Sequence, residues 1–229
     1  MAGAGWVRSG GIAGIASCIA AISTFSLLGT APDSDAGAAQ VAAYVSAQRS
    51  GLIASGVLVM LAAGLILWFG GTLAGMLRAR DPRSPVGLIV LASVAAMVVF
   101  LGWDGITQTA LAFLSRQGSA QANAAVITAL FDLQNGIVMP GAYGFVAAVF
   151  LIAVGVAALG GLFAARWLGW LSLVFAALSL AGATMGLTLV NGGTVSPVSY
   201  SPAIATAVVT LIASIFMLRR VSDGPASPA

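Results

Sequence analysis

The chain has no lysine, no glutamate and no histidine, and only one cysteine in 229 residues. Each absence removes a class of chemistry. Without histidine a single chain cannot ligate haem through imidazole, build a histidine zinc site or assemble a histidine-dependent serine triad. Without lysine there is no Schiff base for retinal. Proton transfer at neutral pH mostly recruits His, or a Glu or Lys of shifted pKa, so only Asp, Tyr and Cys18 remain for catalysis. Cys18 falls in an apolar run with no base nearby in sequence, where a thiol is inert and serves as a small hydrophobe. One cysteine also makes no disulfide framework. Charge is scarce as well. Charged residues make up 7%, against roughly a quarter in soluble domains. The nine arginines are spread along the whole chain and form no basic stripe for nucleic acid.

What is present is apolar surface. Hydrophobic residues make up 60% and the mean hydropathy is +1.06, which excludes disorder and places the chain in a bilayer. A spanning helix needs about 20 apolar residues to cross roughly 30 Å of hydrocarbon. Six runs qualify: Gly10 to Gly29, Gly51 to Leu77, Val86 to Trp103, Gly136 to Gly160, Leu168 to Val190 and Ala203 to Leu218. The expected fold is therefore all-α, a single transmembrane bundle of six helices over residues 1–221 with a disordered tail at 222–229. Pro202 after Ser201 and Pro85 after Ser84 mark helix starts, where proline has no amide hydrogen to lose. The first run is longer than a signal core and is followed by Pro32, so it reads as a retained helix.

Sidedness follows from arginine. Arg8, Arg78, Arg80, Arg83, Arg166, Arg219 and Arg220 fall on one side, and only Arg49 and Arg116 on the other. The positive-inside rule then predicts cytoplasmic termini and a multi-pass protein of the inner (plasma) membrane. Trp6, Trp167 and Trp170 fit the inner interface and Trp103 and Tyr200 the outer one, while Trp68 falls inside a span. Small residues four apart, as in Gly10/Gly14, Gly71/Gly75 and Gly182/Gly186, predict close helix seams within the bundle, with Gly141, Gly144 and Ala148 a looser line. Two outer connections carry short helical patterns, Val41/Tyr44/Val45 after Asp33-Ser34-Asp35 and Val126/Ile127/Leu130/Phe131 after Asn123; these should cap the bundle or lie on its outer interface.

The polar residues that could form a ligand site gather at this outer face. Asp104 and Gln108 are one turn apart, Asp132 and Asn135 form a similar pair, and Arg116 can pair with either aspartate. An ionisable group inside hydrocarbon is a functional candidate by default. Val86 to Trp103 already spans eighteen residues, about 27 Å of helix, so Asp104 is expected at the water boundary. Pro140 has two readings. A continuous helix from Val126 would be interrupted there, freeing the Gly136 carbonyl as in transporter sites; a loop at Gln134-Asn135-Gly136 followed by a fresh helix is simpler. Thr184, Thr188 and Asn191 make a polar stripe on the fifth span. The scattered methionines, Met60 to Met217, read as packing rather than a copper site.

The segments APDSDAGAAQVAAYVSAQRS, GLILWFGGTLAGMLR and RWLGWLSL resemble a group of uncharacterised six-helix integral membrane proteins of actinobacteria, a domain-of-unknown-function family. The resemblance covers most of the chain and implies no activity or site residue. The residues themselves predict a non-enzymatic protein without metal or cofactor, whose partners are the bilayer and other membrane subunits rather than nucleic acid. Its expected role is an accessory, assembly or regulatory subunit of a bacterial envelope complex, because no charge falls deep in a span. The alternative is a carrier or receptor for a small apolar or zwitterionic ligand with an outward-facing site.

Overall fold

A computed structural model describes residues 3–32, 36–116, 120–188 and 200–222. Its helices are α1 (Ala4–Leu27), α2 (Ala38–Ala47), α3 (Arg49–Arg80), α4 (Val86–Leu114), α5 (Ala124–Asp132), a wide-turn π segment (Leu133–Ala142), α6 (Tyr143–Leu159), α7 (Arg166–Thr188) and α8 (Ser201–Ser222). No strand occurs among the described residues. Among the described residues six helical stretches are long and apolar enough to cross a membrane: α1, α3, α4, the stretch Ala124–Leu159, α7 and α8. The chain is thus an all-helical, multi-pass membrane protein.

The spans pack in chain order and close into a ring, with α8 returning against α1. Absent side chains make these contacts close, since lipid supplies no hydrophobic drive between helices and dispersion needs near approach. A methyl built on Gly10 would lie 2.5 Å from Thr72 of α3, and one on Gly11 2.9 Å from Leu218 of α8. Gly155 and Gly169 bring α6 and α7 together in the same way, each facing the other's carbonyl oxygen. Gly144 faces Ala183 and Pro202. Gly71 and Gly75 form no seam, because no neighbour lies within 4 Å of either; Gly70, facing Val94, is the close-packing glycine of that turn. The outward sides of the helices carry exposed Ile12, Ile19, Val99, Val149, Val174 and Ile215, as lipid-facing surfaces require.

Two apolar clusters stack along the bundle axis. The larger joins α3, α4, α6, α7 and α8 around Phe69, Leu73, Val94, Phe150 and Val154. The smaller unites α2 and α5 with the adjoining ends of α3 and α4 through Val41, Val45, Leu52, Leu111, Ile127 and Phe131. The two short helices therefore cap one end of the bundle, and α4 is covered well past Trp103. Asp33 to Asp35 lie outside the described residues. Asn123 directly precedes α5, but its amide donates to the Leu114 carbonyl at 3.2 Å instead of capping its own helix.

The opposite end is held by turns. Asp81 Oδ1 accepts from the backbone N–H of Arg83 and of Ser84, both at 3.2 Å, and Ser84 Oγ accepts from Val86 N–H at 3.3 Å, which sets the start of α4. Gly161 at φ 72° makes the α6–α7 turn. Trp68 finds its place here too: its ring lies 4.7 Å from that of Trp6, and its Nε1 donates to Ser9 Oγ at 3.1 Å. An indole inside a span is thereby satisfied without water.

Candidate functional site

Asp104 sits on the inward face of α4, one turn before Gln108. At that level α3 and α4 touch through backbone: a methyl on Gly56 would stand 2.8 Å from the Gly105 carbonyl oxygen, and one on Gly105 2.8 Å from that of Gly56. Gln108 Nε2 donates to Asp104 Oδ1 at 2.9 Å. Gln134, thirty positions along the chain, donates its Nε2 to the same oxygen. All three are buried, with exposures of 7% for Asp104, 8% for Gln108 and 3% for Gln134. No ion pair to Asp104 occurs among the described residues.

This arrangement corrects the expectation that Asp104 meets water at a helix end. The length argument assumed that the span stops near Trp103, whereas α4 runs on to Leu114. The additional eleven residues, about 16 Å of helix, are covered on their inward face by the α2–α5 cap. The simpler reading of Pro140 is corrected as well. Residues 133–142 are helical with widened turns, and the backbone at Asp132 (φ −67°, ψ −42°) and Tyr143 (φ −60°, ψ −39°) is helical on both sides. Tyr143 N–H bonds Val138 O, five residues back, as a π turn requires. Pro140 lies buried inside this segment, where its missing N–H removes one bond from the ladder. A continuous but loosened helix thus carries Gln134 to Asp104.

The four predicted site residues separate. Asp104 and Gln108 come together; Asn135 lines the cavity beside them while its Nδ2 donates to Phe131 O at 2.9 Å. Asp132 is exposed and lines none of the cavities described below. Gln134 takes its place, a residue that sequence spacing did not single out. Thr184 is exposed and its hydroxyl donates to Ala181 O at 2.9 Å within its own helix. Asn191, and the surroundings of Gly186 and Thr188, lie outside the described residues. The Arg116 guanidinium stacks 3.9 Å above the Phe113 ring.

Two adjoining cavities meet at Asp104, and Gln108 and Gln134 line the outer one. The outer chamber, of about 580 Å³, lies between α1, α4, the π segment and the start of α8, with Phe25, Tyr44, Phe131 and Tyr200 among its walls. The inner one, of about 220 Å³, runs along the bundle interior past Cys18, Tyr143, Thr206 and Thr210. Both contain Asp104, Ile22, Phe25 and Ile204 in their walls. Ile22, Phe25 and Ile204 are also exposed, so the rim of the cavity belongs to the apolar outer surface of the bundle. Beyond the inner cavity Phe69 packs closely in the interior: it is fully buried, and a methyl on Gly14 would stand 2.7 Å from its ring.

Three polar atoms around the two cavities lack a partner. Gln108 Oε1 and Gln134 Oε1 are buried without a hydrogen bond, as is Thr210 Oγ1. Tyr44, on the cap, reaches Gly29 O at 3.5 Å. Burial, and then the neighbouring Tyr200, push its phenol above the usual range, so it stays protonated and neutral at physiological pH. Cys18 is buried and its Sγ lies 3.3 Å from Ala207 O, the role of a small core side chain. Among the described residues no three His, Cys, Asp or Glu side chains gather as a metal site. No protein-family model, no curated protein and no solved structure matches the chain.

Proposed function

We propose that this chain is a non-enzymatic carrier or receptor of the bacterial plasma membrane that binds a small ligand in the outer chamber. The observation that carries the reading is Asp104, buried at the wall of that chamber with Gln108 and Gln134. Burying a carboxylate costs several kcal/mol, and apolar replacements of similar shape are often as stable or more so. Two charge-assisted hydrogen bonds of about 1.5–3 kcal/mol each offset part of that cost. The alternative role, an accessory or assembly subunit, drew its support from an interior free of charge, and Asp104 removes that support.

The arginine asymmetry favours cytoplasmic termini, which turns the α2–α5 cap and the chamber outward. The close packing of Phe69 against Gly14 then lies on the cytoplasmic side of the cavities. A chamber of this volume suits a small molecule, for which sites of about 300–1,000 Å³ are usual.

Native mass spectrometry of the full chain released from mild detergent tests the reading. Wild type should carry a co-extracted small molecule that Asp104→Asn loses while retaining its helix content. Bare wild-type chain in every gentle detergent, or a stoichiometric protein partner in place of a small molecule, would overturn it.

A further inference from the structure

The chemistry around the outer chamber is one-sided, and this identifies a ligand class. Resting on the carrier or receptor reading, we propose that the ligand is a lipophilic organic ammonium ion, a primary or secondary amine on a compact apolar body. On the wall of the outer chamber the buried polar atoms without partners are acceptors: Gln108 Oε1 and Gln134 Oε1 have no donor, while each of the two amides directs one N–H to Asp104 Oδ1. Asp104 Oδ2 accepts nothing from the described residues. An ammonium group offers two or three N–H donors and no acceptor, the complement of this set.

Charge makes the same selection. Asp104 is the only acidic or basic side chain, Asp, Glu, Lys, Arg or His, among the described residues lining the cavities. A carboxylate or phosphate ligand would meet like charge without an arginine to receive it, and a zwitterion would leave its anionic end unpaired. A buried charge calls for an opposite charge.

The walls account for the rest of the ligand. Phe25, Tyr44, Phe131 and Tyr200 surround the chamber, and aromatic faces attract cations as well as apolar bodies. A bare alkali ion would use the oxygens but leave about 580 Å³ of largely apolar space unfilled, so an organic cation satisfies both features at once. The amine nitrogen sits at Asp104, and its hydrocarbon part extends toward Phe25 and the rim.

The test is equilibrium binding to the full chain in lipid nanodiscs, with radiolabelled phenethylammonium, benzylammonium and hexylammonium as probes and empty nanodiscs as blank. At least one should bind saturably and be displaced by the other amines but not by phenethyl alcohol or hydrocinnamate. Asp104→Asn should weaken it on the order of thirtyfold, the loss expected when one member of a buried charge pair is removed. Asp132→Asn should bind as wild type does. Thermal melting of each variant separates lost binding from lost folding, and Gln134→Leu, with the charge retained, should show an intermediate loss.

Competition by phenethyl alcohol equal to that of the amine, with no effect of Asp104→Asn, would overturn the ammonium assignment and leave a chamber for neutral ligands. Saturable sodium binding in its place would overturn it in favour of an ion site. Failure of all three amines while a co-extracted ligand persists in the mass spectra would overturn the ligand class alone; failure of both would overturn the site itself.

Discussion

A methyl group at Gly105 would collide with Met60 Cγ at 2.7 Å and with the Gly56 carbonyl oxygen at 2.8 Å. Methionine can turn aside, but a backbone carbonyl cannot move without its helix. Gly105→Val should therefore force α3 from α4 at the level of Asp104, destabilising the protein by about 1–3 kcal/mol as overpacking does. Thermal unfolding followed by tryptophan fluorescence should show a lowered midpoint. Gly71→Val, where no neighbour lies within 4 Å, should leave the midpoint unchanged. The two glycines look alike in sequence, and a four-residue spacing selects Gly71 rather than Gly105. Small-residue patterns report how often a helix could approach a neighbour, whereas the neighbour's position decides which glycine is used.

The wide-turn segment is the feature on which the triad depends. Pro140 removes a backbone donor within it, and the loosened winding sets the direction in which Gln134 projects. Pro140→Ala should let the helix tighten toward regular α geometry, and a one-residue change of register rotates a side chain by about 100°. Gln134 would then leave Asp104. Ligand binding should fall while helix content by circular dichroism holds or rises; unchanged binding would show that the proline does not set this geometry. The spans themselves were legible as apolar runs, and the Asp104–Gln108 pair as two polar residues one turn apart. Gln134 was not, since it reaches Asp104 across thirty positions and through a winding that no simple period describes. Asp104 itself cut short the apolar run of α4, so the polar residue that makes the site also hid how far its helix extends.

The bundle as a whole is a ring with a capped end and an end held by turns. If its termini are cytoplasmic, Asn135→Cys, at the wall of the chamber, should react with a membrane-impermeant maleimide added to intact cells, in a Cys18→Ser background. Arg83→Cys, in the α3–α4 turn, should react only after permeabilisation. The reverse pattern would invert the orientation and turn the chamber to the cytoplasm. The cap explains why the ring is taller near Asp104 than hydrocarbon thickness requires: α2 and α5 add a second apolar cluster above the first. The chamber occupies the junction between them, where packing is interrupted and polar side chains can be kept from bulk water.

Ile22, Phe25 and Ile204 are at once walls of the cavity and part of the exterior that hydrocarbon tails would wet. A compound that dissolves in lipid can thus accumulate in the leaflet beside the rim before it ever meets the protein. Occupancy is then governed by concentration in the leaflet rather than in the medium, so compounds of equal intrinsic fit should rank by their oil–water partition coefficients. Membranes that hold such molecules poorly should make the same binding site look weak.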